Sequence, residues 1–309
     1  MNVFPVSITK VGLYNSLKQK QNTNYSTQET NLPSHVDAKS FVNVNFKANT
    51  EYFDSIIRRV KQDLNTRTLA EIPYVRESGI ADKLKDLVIK PLKFFHEVPN
   101  GLIFSGEPGT GKTSVAKALA IETKLPLYRL KMTDVVEYNP KNLKYESIEN
   151  IEKIFEQLRQ KYKKTGEPSF IHIENADSLF SELENEYVLL EALDLLHDSK
   201  KMGIIPIIEP VVKLPSYVTK LLPRYNNFNF TSPTLEVRKA MIRESLAPRK
   251  RARLLLSNNE AINEIAEKTD GMSPRKWSAL IDNAAMNAIH DGRRDITKGD
   301  ILKLIYFYK

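Results

Sequence analysis

One octapeptide narrows the folds open to this chain more than any other feature. It is Gly106-Glu107-Pro108-Gly109-Thr110-Gly111-Lys112-Thr113, a G-x-x-x-x-G-K-T pattern. Its glycines let the backbone turn tightly and aim successive N–H groups at phosphate oxygens. Lys112 is spaced to reach β- and γ-phosphates, and Thr113 to offer a hydroxyl to Mg²⁺. Such a loop works only between a buried strand and a helix whose N-terminus faces the phosphates. Both flanks are present. Gly101-Leu-Ile-Phe-Ser105 is a short apolar run, and Ser114-Val-Ala-Lys-Ala-Leu-Ala-Ile-Glu122 has helical composition. A glycine-rich turn that matches by chance would lack this context. Gly106 to Ser114 are therefore candidate nucleotide-binding residues.

The 309 residues accommodate a large domain with a small one, or a domain with an extension. The absence of cysteine excludes disulfides, thiolate zinc sites and cysteine nucleophiles. Lys and Arg number 46 against 38 Asp and Glu, a net charge of +8 that permits an acidic partner without requiring one. No apolar run approaches the roughly 18 residues of a membrane helix. The first residues lack the basic-then-apolar layout of a signal peptide. A cytoplasmic protein without a membrane span is the expectation.

Residues 1–50 are rich in Asn, Gln, Ser and Thr. Such a composition cannot bury enough apolar surface to fold alone, so a disordered arm is expected there. Val42-Asn-Val-Asn-Phe46 is a candidate docking motif within it, with an inert tail as the alternative. Phe53, Ile56, Ile57, Val60 and Leu64 recur at helical spacing and predict a packed helix. A second helical pattern covers Ile80 to Phe95. From Gly101 the pattern alternates. Strands are expected over 101–105, 126–132, 169–173, 203–208 and 227–230, separated by amphipathic helices. That alternation predicts an α/β fold of the P-loop NTPase kind, an αβα sandwich around a mainly parallel five-stranded sheet. After about residue 235 only helices are expected, over Leu235–Leu246, Asn259–Lys268, Pro274–Asp291 and Thr297–Tyr306. The predicted organisation is an arm (1–50), a nucleotide-binding αβα domain with leading helices (51–234) and a small all-α lid (235–309).

A P-loop sheet domain followed by a helical lid resembles an AAA+ ATPase. Several stretches narrow the resemblance to the AAA family proper, the group that contains FtsH and the proteasomal ATPases. Gly79-Ile-Ala-Asp-Lys-Leu-Lys-Asp-Leu-Val-Ile-Lys-Pro-Leu92 is similar to the segment before that family's first core strand. Glu146-Ser-Ile-Glu-Asn-Ile-Glu-Lys-Ile-Phe155 is similar to its helix between the second and third strands, and Ala176-Asp-Ser-Leu-Phe180 to the tail of its Walker B motif. Ala266-Glu-Lys-Thr-Asp-Gly-Met-Ser273 resembles its lid. The likeness runs from roughly residue 70 to 305. It implies ATP and Mg²⁺ as cofactors, a homo-oligomeric ring with ATP between subunits, and a protein partner.

The chain departs from the family at the catalytic positions. Phe170-Ile-His-Ile173 is followed by Glu174-Asn175, where the family has Asp-Glu. Glu174 takes the place of the aspartate that organises Mg²⁺ through its waters, so it is a candidate metal and catalytic residue. Asn175 stands at the position of the catalytic glutamate. An amide orients water but cannot take its proton, and such base assistance is worth about 10²–10⁴-fold. Slow hydrolysis is expected unless Asp177 or Glu209 substitutes. Glu209 ends the fourth strand, near the family's γ-phosphate sensor. There an acidic group is unfavourable without a cation or proton; a structural loop role is the alternative. Leu221-Leu-Pro-Arg224-Tyr225-Asn226-Asn227 resembles the Arg-Phe-Asp-Arg segment, which makes Arg224 the candidate arginine finger toward a neighbouring subunit. Asn227 replaces the second arginine. Arg275 follows the helix start Ser273-Pro274 and matches a lid arginine that contacts the γ-phosphate; an ordinary solvated charge is the alternative.

Val136-Glu-Tyr138-Asn-Pro-Lys141 lacks the family's aromatic–hydrophobic–glycine pore triplet. Arg249-Lys-Arg-Ala-Arg253 can touch phosphates but lacks aromatics for base stacking, so a solvated segment is the simpler reading and nucleic acid the lesser one. His172 and Trp277, in apolar surroundings, are expected to pack in the core. The reading that follows is an ATP-binding AAA family ATPase that assembles with ATP, acts on a protein partner and hydrolyses slowly. A hydrolysis-deficient ATP switch or scaffold is the alternative, and a DNA-handling loader the third.

Overall fold

Runs of β-branched and aromatic residues become strands when both faces of the sheet are covered. The computed structural model describes residues 58–59, 67–132, 145–177, 186–212, 214, 216–222, 224–247, 255 and 257–308. It places strands at Arg58–Arg59 (β1), Leu102–Gly106 (β2), Leu127–Lys131 (β3), Ser169–Glu174 (β4), Ile204–Glu209 (β5) and Asn226–Phe230 (β6). They form one sheet in the order β1-β3-β4-β5-β2-β6. The five strands β2 to β6 are mutually parallel, as expected. In β5, Pro206 removes a ladder donor from an interior strand. The four isoleucines around it are fully buried, and their burial on both faces holds the strand in place.

β1 is a correction. The helix expected over Phe53–Leu64 does not hold at Arg58–Arg59, which pairs antiparallel with Tyr128 and Arg129 of β3. The physical reason is the edge of β3, whose backbone N–H and C=O groups would otherwise go unpaired. The expected arm (1–50), the Val42–Phe46 motif, the pore segment Val136–Lys141, Ser178–Phe180 and the basic run Arg249–Arg253 lie outside the described residues.

Helices occupy Pro73–Glu77 (α1), Ile80–Leu84 (α2), Lys90–Phe94 (α3), Lys112–Thr123 (α4), Tyr145–Thr165 (α5), Glu186–Asp198 (α6) and Ser216–Leu221 (α7). A π-helical turn, Lys85–Ile89, joins α2 to α3. After the last strand come Leu235–Leu246 (α8), Asn259–Lys268 (α9), Pro274–His290 (α10) and Lys298–Tyr308 (α11). All four begin on side-chain caps, Thr297 accepting from Asp300 N at the start of α11. Thr234 accepts from Val237 N, Asn258 from Ala261 N and Ser273 from Lys276 N. The spacing Trp277, Leu280, Ile281, Ala284 buries one stripe of α10.

Strand alternation divides the core in two. Leu102, Phe104, Leu127, Phe170, Ile205 and Ile207 face α4, where Val115, Ala116, Ala118 and Leu119 let the helix lie close; the same cluster continues into α8, α9, α10 and α11. Ile103, Leu130, Ile171, Ile173, Ile204 and Ile208 face the opposite side, packed by Ile151, Ile154, Phe155 and Leu158 of α5 and by α6. From β2 the chain steps out to β3 and returns through β4 and β5, while β6 lies on the other flank of β2. The carboxyl end of β2 is thus the point where strand order reverses, the crevice in which parallel sheets hold ligands.

Candidate functional site

The loop that follows β2 is held by its own backbone. Gly106 has φ 129°, and a Cβ there would lie 2.1 Å from the carbonyl oxygen of Phe230. Only glycine permits that approach to β6. The Thr110 hydroxyl, almost fully buried, donates to Glu107 O at 2.7 Å. Lys112, the first residue of α4, is 4 % exposed, and its ammonium donates to Gly106 O at 2.7 Å and Glu107 O at 2.8 Å. Pro108 and Gly109 form the turn between these anchors.

The start of α10 docks on the same loop. Arg275 N donates to Gly109 O at 3.2 Å. A Cβ on Gly109 would sit 3.0 Å from Arg275 Cβ and 3.1 Å from Ser273 Oγ. Beside this junction lies a cavity of about 480 Å³ whose lining includes Tyr74, Thr110, Gly111, Ser114, Met241 and Trp277. That volume falls within the range of small-molecule sites. Trp277 is buried as expected, with its indole N–H on Ser245 Oγ at 2.9 Å, yet it also lines this cavity.

The ends of β4 and β5 add a second set of groups. Residues two apart on a strand share a face, so Arg129, His172, Glu174 and Glu209 all point toward the α4 side. Glu174 is held by Arg129 through two hydrogen bonds of 2.6 Å, from Nε to Oε1 and Nη2 to Oε2. His172, 1 % exposed, bridges the two carboxylates: Nε2 lies 2.7 Å from Glu209 Oε2 and Nδ1 3.7 Å from Glu174 Oε1. Glu209 Oε1 is in turn 3.7 Å from Lys112 Nζ. A continuous chain of polar contacts therefore joins Arg129, Glu174, His172, Glu209 and Lys112. Burial pushes the Glu209 carboxyl up, but the His172 hydrogen bond and the charges of His172 and Lys112 outweigh it, so Glu209 lies below its ordinary range. Burial pulls the Lys112 ammonium down; Glu209 opposes this and Arg275 adds to it.

His172 thus departs from the expectation of plain core packing. It is buried, but a buried imidazole needs polar partners, and it finds them in two carboxylates. The spacing of His172 and Glu174 on one strand already signalled a shared face. Nothing in the sequence signalled Arg129, 45 residues from Glu174. Glu209 is the last residue of β5 rather than a loop residue, and its carbonyl accepts from Ala176 N at 3.1 Å. Asn175 begins the turn after β4 with φ 56°, a left-handed conformation that asparagine tolerates better than most residues. Asp177 Oδ1 accepts from Val211 N at 2.7 Å and so braces the segment after β5.

The fold brings Gly106 to Ser114, Glu174, Asn175, Glu209 and Arg275 to one end of the sheet. It does not bring Arg224 there. Arg224 is exposed and precedes β6, whose first residue, Asn226, pairs with Leu102 at the start of β2. It lies at the opposite end of the sheet from the loop of its own chain.

These groups fit a nucleoside phosphate: a loop with left-handed φ at Gly109 and Gly111, a buried lysine at a helix start, and an adjoining cavity of nucleoside size. They also fit a hydrated magnesium ion. Thr113 carries the hydroxyl, and each Glu174 oxygen keeps a lone pair beyond its bond to Arg129. Among the described residues no three carboxylate or imidazole groups are arranged to hold a metal by themselves. Magnesium here would be carried largely by phosphates and water.

Comparison with known proteins agrees with this geometry. Residues 102–209 match the family described as "ATPase family associated with various cellular activities (AAA)". The ATPase family gene 2 protein homolog B of Bos taurus is 25% identical over 236 residues, covering 71% of this chain and 29% of that protein. The ATP-dependent zinc metalloprotease FtsH of Clostridium perfringens is 25% identical over 244 residues, 71% of this chain and 32% of its own length. The proteasome-activating nucleotidase of Methanocella arvoryzae is 27% identical over 255 residues, 74% of this chain and 57% of its own. The chain thus spans between about a third and somewhat over half of the relatives it matches. No described helix is long and apolar enough to cross a membrane.

Proposed function

We propose that this chain, whose residues 102–209 match the AAA family, is an ATPase of that family that binds Mg-ATP, hydrolyses it slowly and uses nucleotide-dependent assembly to act on a protein partner. The observation that carries the reading is the contrast at one site: a complete phosphate loop faces a β4 end that offers Glu174 and Asn175. Gly106 to Ser114 hold the phosphates, and Lys112 supplies positive charge to them. Thr113 and Glu174 hold magnesium and its waters. Asn175 orients the attacking water without accepting its proton, which removes a factor of about 10²–10⁴. Positioning and charge stabilisation remain, so hydrolysis persists at a low rate. The lid, residues 235–309, docks Arg275 beside the loop and couples nucleotide state to lid position. Arg224, remote from its own loop, acts on the site of a neighbouring copy in a ring.

A second reading, an ATP-binding switch with no turnover, draws support from the pairing of both carboxylates. Glu174 is engaged by Arg129, and Glu209 by His172 and Lys112. Neither is free to serve as a base in Asn175's place.

Phosphate release measured beside nucleotide binding tests both. Wild type is expected to bind ATP and release phosphate slowly. Lys112→Ala should lose about 100-fold or more in affinity, the worth of a lost charge-assisted contact. Asn175→Glu should raise release at least about tenfold, at a stability cost of roughly 1 kcal/mol because glutamate tolerates φ 56° poorly. Fast wild-type release would overturn the role given to Asn175. Binding without any release would select the switch.

A further inference from the structure

We infer that Glu209 sets the nucleotide preference of this site, favouring a nucleoside diphosphate over the triphosphate. This rests on the nucleotide reading above and deepens it. Three observations carry it. First, the Glu209 carboxylate stands 3.7 Å from the Lys112 ammonium, the group that a P-loop offers to the outermost phosphates. A phosphate that extends past the loop along Lys112 meets a negative charge within a few Å. Second, the Glu209 carboxylate is held in place by its Oε2, 2.7 Å from Nε2 of the buried His172. Third, Lys112 is already committed to Gly106 O and Glu107 O as well as to Glu209.

A diphosphate is held mainly by the loop N–H groups, which the carboxylate does not oppose. A third phosphate must recruit Lys112 away from Glu209 and leave that carboxylate facing a new anion. The penalty falls most heavily on the γ-phosphate. Glu209 lies below the ordinary carboxylate range, so it carries its charge at neutral pH. The bound product of hydrolysis is then the favoured state, and exchange for the triphosphate becomes the step that a partner or a neighbouring subunit must assist.

Isothermal titration of the full chain with ADP and with the β,γ-imido analogue of ATP, both with Mg²⁺, tests this. Wild type is expected to bind ADP at least about tenfold more tightly. Glu209→Gln, nearly isosteric, should narrow the gap at least about fivefold, mainly by strengthening the triphosphate. Equal affinities in wild type would overturn the inference and leave the nucleotide site standing. An unchanged ratio in folded Glu209→Gln would overturn it too. Binding of neither nucleotide would overturn both the site and the inference. Should Glu209→Gln fail to fold, the wild-type ratio alone decides.

Discussion

The two limbs of the phosphate-binding crevice are built from different materials. The limb after β2 is backbone: eight consecutive residues, a glycine whose added Cβ would fall 2.1 Å from the Phe230 carbonyl oxygen, and a lysine folded onto its own loop carbonyls. The limb at the ends of β4 and β5 is side chain. There, His172 bridges carboxylates 35 residues apart in sequence, and Arg129 joins from a third strand. A backbone limb tolerates little change in its glycines, because it has no side chain to repack. A side-chain limb can be re-edited residue by residue while the fold persists. That is the limb where this chain departs from the AAA pattern.

Substitutions can break or sharpen this contrast. The largest effect is expected from Gly106→Ala. With φ 129° and no room beside Phe230, it should cost at least about 3 kcal/mol in urea unfolding or abolish folding. A stable Gly106→Ala protein would remove the basis of the comparison. His172→Leu comes next. It leaves the partly buried Glu209 without its hydrogen bond, at a cost of roughly 1–2 kcal/mol, while ADP affinity should stay within about threefold because the loop is untouched. A larger loss of ADP binding would mean that the two limbs are one cooperative unit. Ser273→Ala removes the cap that seats α10 on Gly109 and should cost about 1 kcal/mol, with a lower melting temperature.

The smallest effect is in acid. Glu209 lies below its ordinary 4.5 when folded, so the unfolded chain binds its proton first as pH falls. Its contribution to stability is complete above about pH 4.5 and is lost below it. The wild-type acid slope should therefore be steeper than that of Glu209→Gln in denaturant titrations at pH 3 to 6.

Much of the fold was legible along the chain. The parallel strands and the helices α8 to α11 start and stop close to where periodicity and capping residues put them, because burial stripes and caps are local signals. The edge strand β1 was not legible. Val60 and Ile56 suit a helix equally well, and only the unpaired edge of β3 decides between the two. Within the site, the loop was readable to the residue. The partners of Glu174 and Glu209 were not.

The sequence by itself determined the phosphate loop, the strand–helix alternation and the substitutions at Glu174 and Asn175, since each depends on neighbours within one turn or strand. The tertiary structure alone decided that His172 links two carboxylates, that Arg129 engages Glu174, that Glu209 faces Lys112 and that Arg224 lies at the opposite end of the sheet from its own loop. Those pairings follow from strand order and register, which place residues tens of positions apart on one face. No window of local sequence contains that information.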